Sequence, residues 1–349
     1  MTIGLERDGR VRLSLKGMTT PQQSPKTLRA RTPEDLLAMV PYILGFRPDQ
    51  SLVMLTFGSS GPSFHARVDL PRDPADFGEV VELLIEPALR HHVERVVVIG
   101  YSDDPELCEE ALELTAVAMV TEGIEVVELL RVTGTRWLSM LEPRGPSWRR
   151  GADEGTAFDD RTHPFTMQGV IEGRVTLNSR EELADSLVGT DFEAVDAVAA
   201  AVDDWGATPQ NSRELEAQWV QDTLARHVSE GSTPSVTEVG RLLVACRDPA
   251  LRDVAWGLMS RESAERHVDL WRSVLRRTPA EMQAAPASLL GFAAWLAGHG
   301  ALAWCAVDRA VLADPDYSMA GLLADALDRA LPPTTWEPMT DLVALLRGR

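Results

Sequence analysis

Hydrophobic and polar positions follow two different rhythms along this chain, and the change comes near residue 180. Before it, short apolar runs alternate with amphipathic ones. The clearest instance is residues 95–132, RVVVIGYSDDPELCEEALELTAVAMVTEGIEVVELLRV. Residues 96–99 are apolar throughout, a turn occupies 100–105, a helical period runs to Gly123, and a second apolar run fills 124–132. Strand, helix and strand in that order predict two parallel strands joined by a helical crossover. A strand without a polar face must be covered on both sides, so this unit is expected at the centre of a sheet.

The same reading orders the preceding chain. Residues 10–16 alternate, with Val11, Leu13 and Leu15 on one face, and predict a short edge strand in an N-terminal arm of residues 1–30. Thr32-Pro33-Glu34-Asp35 starts a helix: threonine caps free N–H groups, proline is pre-set for the first helical position, and acids favour the positive end of the dipole. Residues 51–57 and 64–70 are strand-like and separated by Gly58-Ser59-Ser60-Gly61-Pro62-Ser63, which predicts a hairpin with a longer loop. In the second run Phe64, Ala66, Val68 and Leu70 alternate with His65, Arg67 and Asp69, so one face is polar and lies at a surface or cleft. With a helix at about 77–91, residues 31–142 are expected to form an α/β domain, a mixed β-sheet flanked by helices. Residues 143–164, PRGPSWRRGADEGTAFDDRTHP, are rich in proline, glycine and charge and are expected to be a linker or loop.

From residue 165 to 349 the expectation is an all-α domain. Leu215, Trp219, Val220 and Leu224 make one helical stripe, and Val236, Val239, Leu242, Leu243 and Cys246 make another. Seven of the nine tryptophans lie between Trp205 and Trp336, at spacings that suit core anchors rather than a cofactor box. An offset of 33 aligns Ala287 with Ala320, Leu289 with Leu322, Leu290 with Leu323, Ala293 with Ala326 and Ala297 with Ala330, a pattern similar to short tetratricopeptide-type hairpins. Residues 289–307 carry no formally charged side chain and are about long enough to span a bilayer. Their alanine content and the break at Gly298-His299-Gly300 predict a buried helical hairpin instead, and no membrane association.

Charge and cysteine usage narrow the functional classes. With 34 basic against 53 acidic residues, the net charge of −19 disfavours phosphate backbones and anionic lipid, even though Arg144, Arg149 and Arg150 cluster in the linker. Cys108, Cys246 and Cys305 are far apart, which indicates neither a disulfide framework nor a zinc knuckle. The first ten residues contain charges and no apolar core, so no secretory leader is read and a reducing cytoplasm is the expected compartment.

In an open sheet with parallel strands, ligands favour the crevice beyond the strands' carboxyl ends. Ser102, Asp103 and Asp104 follow the central strand at that place, and Asp69 ends a neighbouring strand beside Arg67. Three converging carboxylates would hold a divalent cation through oxygen ligands, and a metal-assisted hydrolase is the enzyme reading of that arrangement. The favoured alternative is that Ser102 or Asp104 caps the helix starting at Pro105. Arg131, Arg136 and Trp137, expected just after the last strand, supply either an anion contact on the same edge or ion pairs with nearby acids. His65 and Asp69 share a strand face but stand roughly 13 Å apart, and no other histidine has a companion at ligand spacing, so no metal is assigned. The chain contains no GxGxxG, GxxxxGK[ST], HExxH or GxSxG run, and no cofactor is indicated.

The runs LRARTPEDLLAMVPYILGFRPDQSLVML, FHARVDLP, VVVIGYSDDP, RWLSML and LPPTTW, in this order, resemble an actinobacterial family catalogued only as a domain of unknown function, over about residues 27–336. The resemblance implies no activity. Many members of that family carry cysteines just after the tryptophan motif, whereas Leu141-Glu142-Pro143 stand there in this chain, so it implies no metal site. The expected function is a protein-interaction or regulatory module. Stacked amphipathic hairpins would present a binding face to a protein partner, and the α/β domain would carry a small-ligand site.

Overall fold

The computed structural model describes residues 2–5, 11–14, 27–57, 64–141, 155–171, 176–207 and 211–339, with side chains from Ala30 onward. Trp148 and the arginines at 144, 149 and 150 lie outside the described residues. The chain divides into two compact units, residues 1–179 and 180–349.

The first unit opens with β1 (Thr2–Leu5), β2 (Val11–Ser14) and β3 (Thr27–Ala30), an antiparallel three-stranded sheet. The alternating run around Val11 is therefore the middle strand of this sheet and not an edge, because alternation identifies a strand without counting its neighbours. Helix α1 (Pro33–Leu44) begins at a reciprocal cap, in which Asp35 N–H donates to Thr32 Oγ1 at 3.3 Å and Thr32 N–H donates to Asp35 Oδ2 at 3.2 Å. It ends at Gly45, whose φ of 82° and N–H bond to the Pro41 carbonyl close the last turn.

There follow β4 (Ser51–Phe57), β5 (His65–Asp69), α2 (Phe77–Arg90), β6 (Arg95–Tyr101), α3 (Pro105–Thr121), β7 (Glu125–Thr133), β8 (Arg136–Ser139) and β9 (Thr156–Ala157). The strands form a mixed six-stranded sheet in the order β5-β4-β6-β7-β8-β9, with β6 and β7 parallel at its centre and the other pairs antiparallel. The apolar run of β6 serves both faces. Val97 and Ile99 pack with Leu37, Met39, Val53 and Leu130 on the α1 side, while Val96 and Val98 pack with Leu84, Leu112 and Met119 on the side of α2 and α3. Gly100 lets α3 approach the strand, since a Cβ there would lie 2.5 Å from Cys108 Sγ.

Two strands were not legible beforehand. The turn at Gly134, with φ of 57°, returns the chain as β8, so Arg136 and Trp137 lie within the sheet and not beyond it. Two residues of β9 then pair on β8, and helix α4 (Pro164–Ile171) packs on α1. These contacts tie residues 155–164, from the stretch expected to be a linker or loop, and residues 165–171, expected in the all-α domain, to the first unit, and the division between the units falls at Ser179. Proline and glycine mark irregular backbone there, not an absence of partners.

The second unit is helical: α5 (Arg180–Asp185), α6 (Phe192–Gly206), α7 (Arg213–Glu230), α8 (Val236–Ala245), α9 (Pro249–Gly257), α10 (Ala264–Leu275), α11 (Ala284–Ala297), α12 (Gly300–Ala313) and α13 (Ser318–Asp328). Helices α11 and α12 pack together across the Gly298 turn, with Ala287, Ala293, Ala303, Ala306 and Ala310 fully buried. No helix among the described residues is long and apolar enough to cross a membrane. The 33-residue echo places Ala287 and Ala320, and Leu290 and Leu323, at buried positions of α11 and α13, but Leu322 is 62% exposed where Leu289 is fully buried. Leu215 is likewise exposed; the buried apolar positions of α7 are Ala217, Val220 and Leu224, with Trp219 half-buried beside them.

The tryptophans anchor this unit. Trp271 is fully buried. Trp256 stacks on Trp336 at 5.4 Å with Phe292 edge-on to both, and Trp336 Nε1–H donates to the Met259 carbonyl at 2.8 Å, which fastens the LPPTTW segment to α9. Trp205 and Trp219 sandwich the Arg241 guanidinium, whose carbon lies 4.3 and 3.9 Å from the two ring centroids.

Candidate functional site

Because β5 and β6 both run antiparallel to β4, their carboxyl ends share one edge of the sheet with the carboxyl end of β7 and the start of β4. Register then lines up a row across the whole sheet: Asp69, Ser51, Tyr101, Val132, Trp137 and Thr156. Paired positions share a face, here the one covered by α1. The next row inward, Arg67, Val53, Ile99, Leu130 and Ser139, is apolar in the middle. In these two rows, polar character on the central strands of this face is thus confined to the rim.

Gln50 knits that rim together. The buried Ser102 donates its hydroxyl to Gln50 Oε1 at 2.8 Å and accepts the Asp104 N–H at 3.1 Å, while the Gln50 carbonyl accepts the Leu70 N–H at 2.8 Å. Gln50 does this with φ of 41°, a left-handed conformation that costs a non-glycine residue on the order of 1 kcal/mol. Beside it, Ser51 donates its hydroxyl to the Asp49 carbonyl and accepts Arg67 Nε–H at 3.0 Å. Arg67 also pairs with Asp69 at 2.7 Å, an ion pair weakened by water because the Asp69 side chain is 80% exposed.

The remaining candidates take separate places. Asp104 caps α3, its Oδ1 accepting the N–H groups of Glu106 and Leu107 at 3.1 Å each. Asp103 is exposed and makes no hydrogen bond among the described residues. With Asp69 held by Arg67 and Asp104 turned to its helix, the carboxylates do not converge, and no group of three or more His, Cys, Asp or Glu able to hold a metal occurs among the described residues. Arg131 points to the other face, where its buried side chain pairs with Glu109 of α3 at 2.7 Å. Arg136 donates to the Gly155 carbonyl at 3.0 Å and so braces β9. Burial pushes the Cys108 thiol up to about 12, which leaves it without a reactive thiolate. Both ring nitrogens of His65 are shielded without partners, and burial holds its pKa down to about 3.

Sequence reasoning missed Arg47, Gln50, Ser51, Tyr101 and Asp160. Arg47 Nε–H donates to Asp160 Oδ2 at 2.7 Å in a largely shielded pair, and nearby His163 Nε2 lies 3.2 Å from Asp35 Oδ1. The Tyr101 hydroxyl is buried without a hydrogen-bond partner; burial, and then the charge of Asp160, raise its pKa above the ordinary tyrosine value. Trp137 Nε1–H, two strands away in the same row, is buried and unpartnered too. The signal for part of this lay in FRPDQS, a polar cluster directly ahead of a wholly buried strand. Nothing local linked it to Asp160.

The chain matches, over residues 33–334, the family model described as Domain of unknown function (DUF4192). Neither the curated proteins nor the solved structures contain a significant match.

Proposed function

This chain belongs to that family of unknown function, and we propose that it is a ligand-responsive interaction or regulatory module, with a small-ligand site at the rim of its sheet and a protein partner's surface on its helical unit. The observation that carries the reading is the pair of buried, unpartnered donors in one row, Tyr101 O–H and Trp137 Nε1–H, on the face that also holds the Arg47–Asp160 pair. A buried donor without an acceptor costs about 1–3 kcal/mol, so ligand oxygens that accept from these donors offset that cost. The ligand class is a small molecule carrying carbonyl or carboxylate oxygens.

The helical unit supplies the interaction half of the proposal. Its alanine-packed α11–α12 pair and the echo of that pattern in α13 support tetratricopeptide-like stacking, and such stacks offer concave surfaces to peptides. The buried thiols suit a reducing cytoplasm. A net charge of −19 argues for a protein rather than a nucleic-acid partner. The test is a thermal-shift screen of the full chain against small carboxylates and carbonyl compounds, since a ligand of the folded state raises Tm. A compound that stabilises the wild type but not Tyr101→Phe supports the rim; stabilisation identical in both proteins refutes it.

A further inference from the structure

In the helical unit a groove of about 400 Å³ lies among α6, α7, α8 and α9, a volume suited to a small ligand. Its lining joins apolar surface from Trp205, Val244 and Leu251 to charged surface from Arg213, Arg247 and Asp248. The carboxylates at the groove are already engaged. Asp248 Oδ2 accepts Arg213 Nε–H at 2.7 Å and its Oδ1 caps α9 through the Ala250 N–H at 3.0 Å. Buried Glu216 is gripped by two Arg241 N–H groups at 2.9 and 3.0 Å and by the Asn211 amide at 2.6 Å. The Arg247 side chain has no such counter-charge: it is exposed, and its one hydrogen bond among the described residues goes to the Met282 sulfur at 4.0 Å. The Arg213 pair uses Nε alone and leaves the outer guanidinium N–H groups open to a second acceptor.

We propose that this groove binds a small amphipathic anion, with the oxyanion head on Arg247 and the outer N–H groups of Arg213 and the ring or aliphatic body against Trp205, Val244 and Leu251. Guanidinium groups match the geometry of both phosphate and carboxylate oxygens, and charge-assisted bonds of this kind are the strong ones. The site is independent of the sheet rim, with which it shares no residue.

Calorimetric titration of the full chain with phenyl phosphate, benzoate and inorganic phosphate separates head from body. One of the two aromatic anions is expected to bind saturably, at least about tenfold tighter than inorganic phosphate, and Arg247→Ala should weaken it by about tenfold while leaving Tm unchanged, the size of one good charged contact. Which aromatic anion binds identifies the head as phosphate or carboxylate, and Tyr101→Phe should leave the affinity unaltered. The proposal is overturned if neither aromatic anion saturates at millimolar concentration, if inorganic phosphate binds as tightly, or if Arg247→Ala binds like the wild type.

Discussion

Ser102 and Gln50 are joined across the sheet edge by a 2.8 Å hydrogen bond that Gln50 makes from a left-handed backbone conformation. The serine hydroxyl also accepts the Asp104 N–H, so Ser102→Ala removes two bonds from a buried position and should lower stability by about 1–2 kcal/mol. The strain at Gln50 makes a second comparison sharper. Gln50→Gly loses the side-chain bond but gains a residue at ease with positive φ, whereas Gln50→Ala loses the bond and keeps the strain. Urea unfolding should therefore rank Gln50→Ala below Gln50→Gly; the reverse order would show that the backbone there is not strained.

The cap reading of the Ser-Asp-Asp turn separates its two acids. Asp104→Ala should cost about 1 kcal/mol, because two N–H groups of the first turn of α3 lose their acceptor. Asp103→Ala should leave the melting temperature unchanged, since that side chain is exposed. Equal losses from both variants would contradict the assignment.

Close approach of α3 to β6 depends on the missing side chain at Gly100. A methyl there meets Cys108 Sγ at 2.5 Å and Leu112 Cδ1 at 3.0 Å, so Gly100→Ala should destabilise by about 1–3 kcal/mol through overpacking. Adding Cys108→Ala removes the nearer obstacle and should recover part of the loss. A double variant no more stable than Gly100→Ala would place the strain elsewhere.

Acid should weaken the helical unit through His267. Burial lowers its pKa from about 6.5 to about 4, and the ring is 2% exposed. The unfolded chain then binds a proton more readily than the folded one between those values. Stability from this group is complete above pH 6.5, declines as the pH falls toward 4, and levels off below, with a full span of about 3 kcal/mol. His65, also held low by burial, adds in the same direction at the sheet. Urea midpoints measured from pH 7 to pH 4.5 should fall less steeply in His267→Leu than in the wild type; parallel curves would remove His267 from the account.

Much of the sheet could be read from local pattern. The wholly apolar runs of β4 and β6 needed cover on both faces, and the Thr32 and Asp104 caps are chemistry within three residues. The rim was legible only where it was local. Asp69, Ser102 and Trp137 were singled out, but their alignment into one edge depends on cross-strand register, and the Arg47–Asp160 pair joins residues 113 apart in sequence. Four-residue β8 and two-residue β9 are too short for alternation to declare them. Asp69, Asp103 and Asp104 left a metal set open beside the favoured helix cap, because three acids near one edge resemble ligands until their other bonds are known.

The rim proposal rests on two donors awaiting an acceptor, and one of them is directly observable. The indole N–H of Trp137 gives its own proton–nitrogen NMR correlation, assigned by its disappearance in Trp137→Phe. On titration with a carboxylate or carbonyl compound that raises the melting temperature, this signal should move downfield as the N–H gains a hydrogen bond, and Tyr101→Phe should diminish the shift. A stabilising compound that leaves the Trp137 signal in place would contradict a ligand site at the sheet rim.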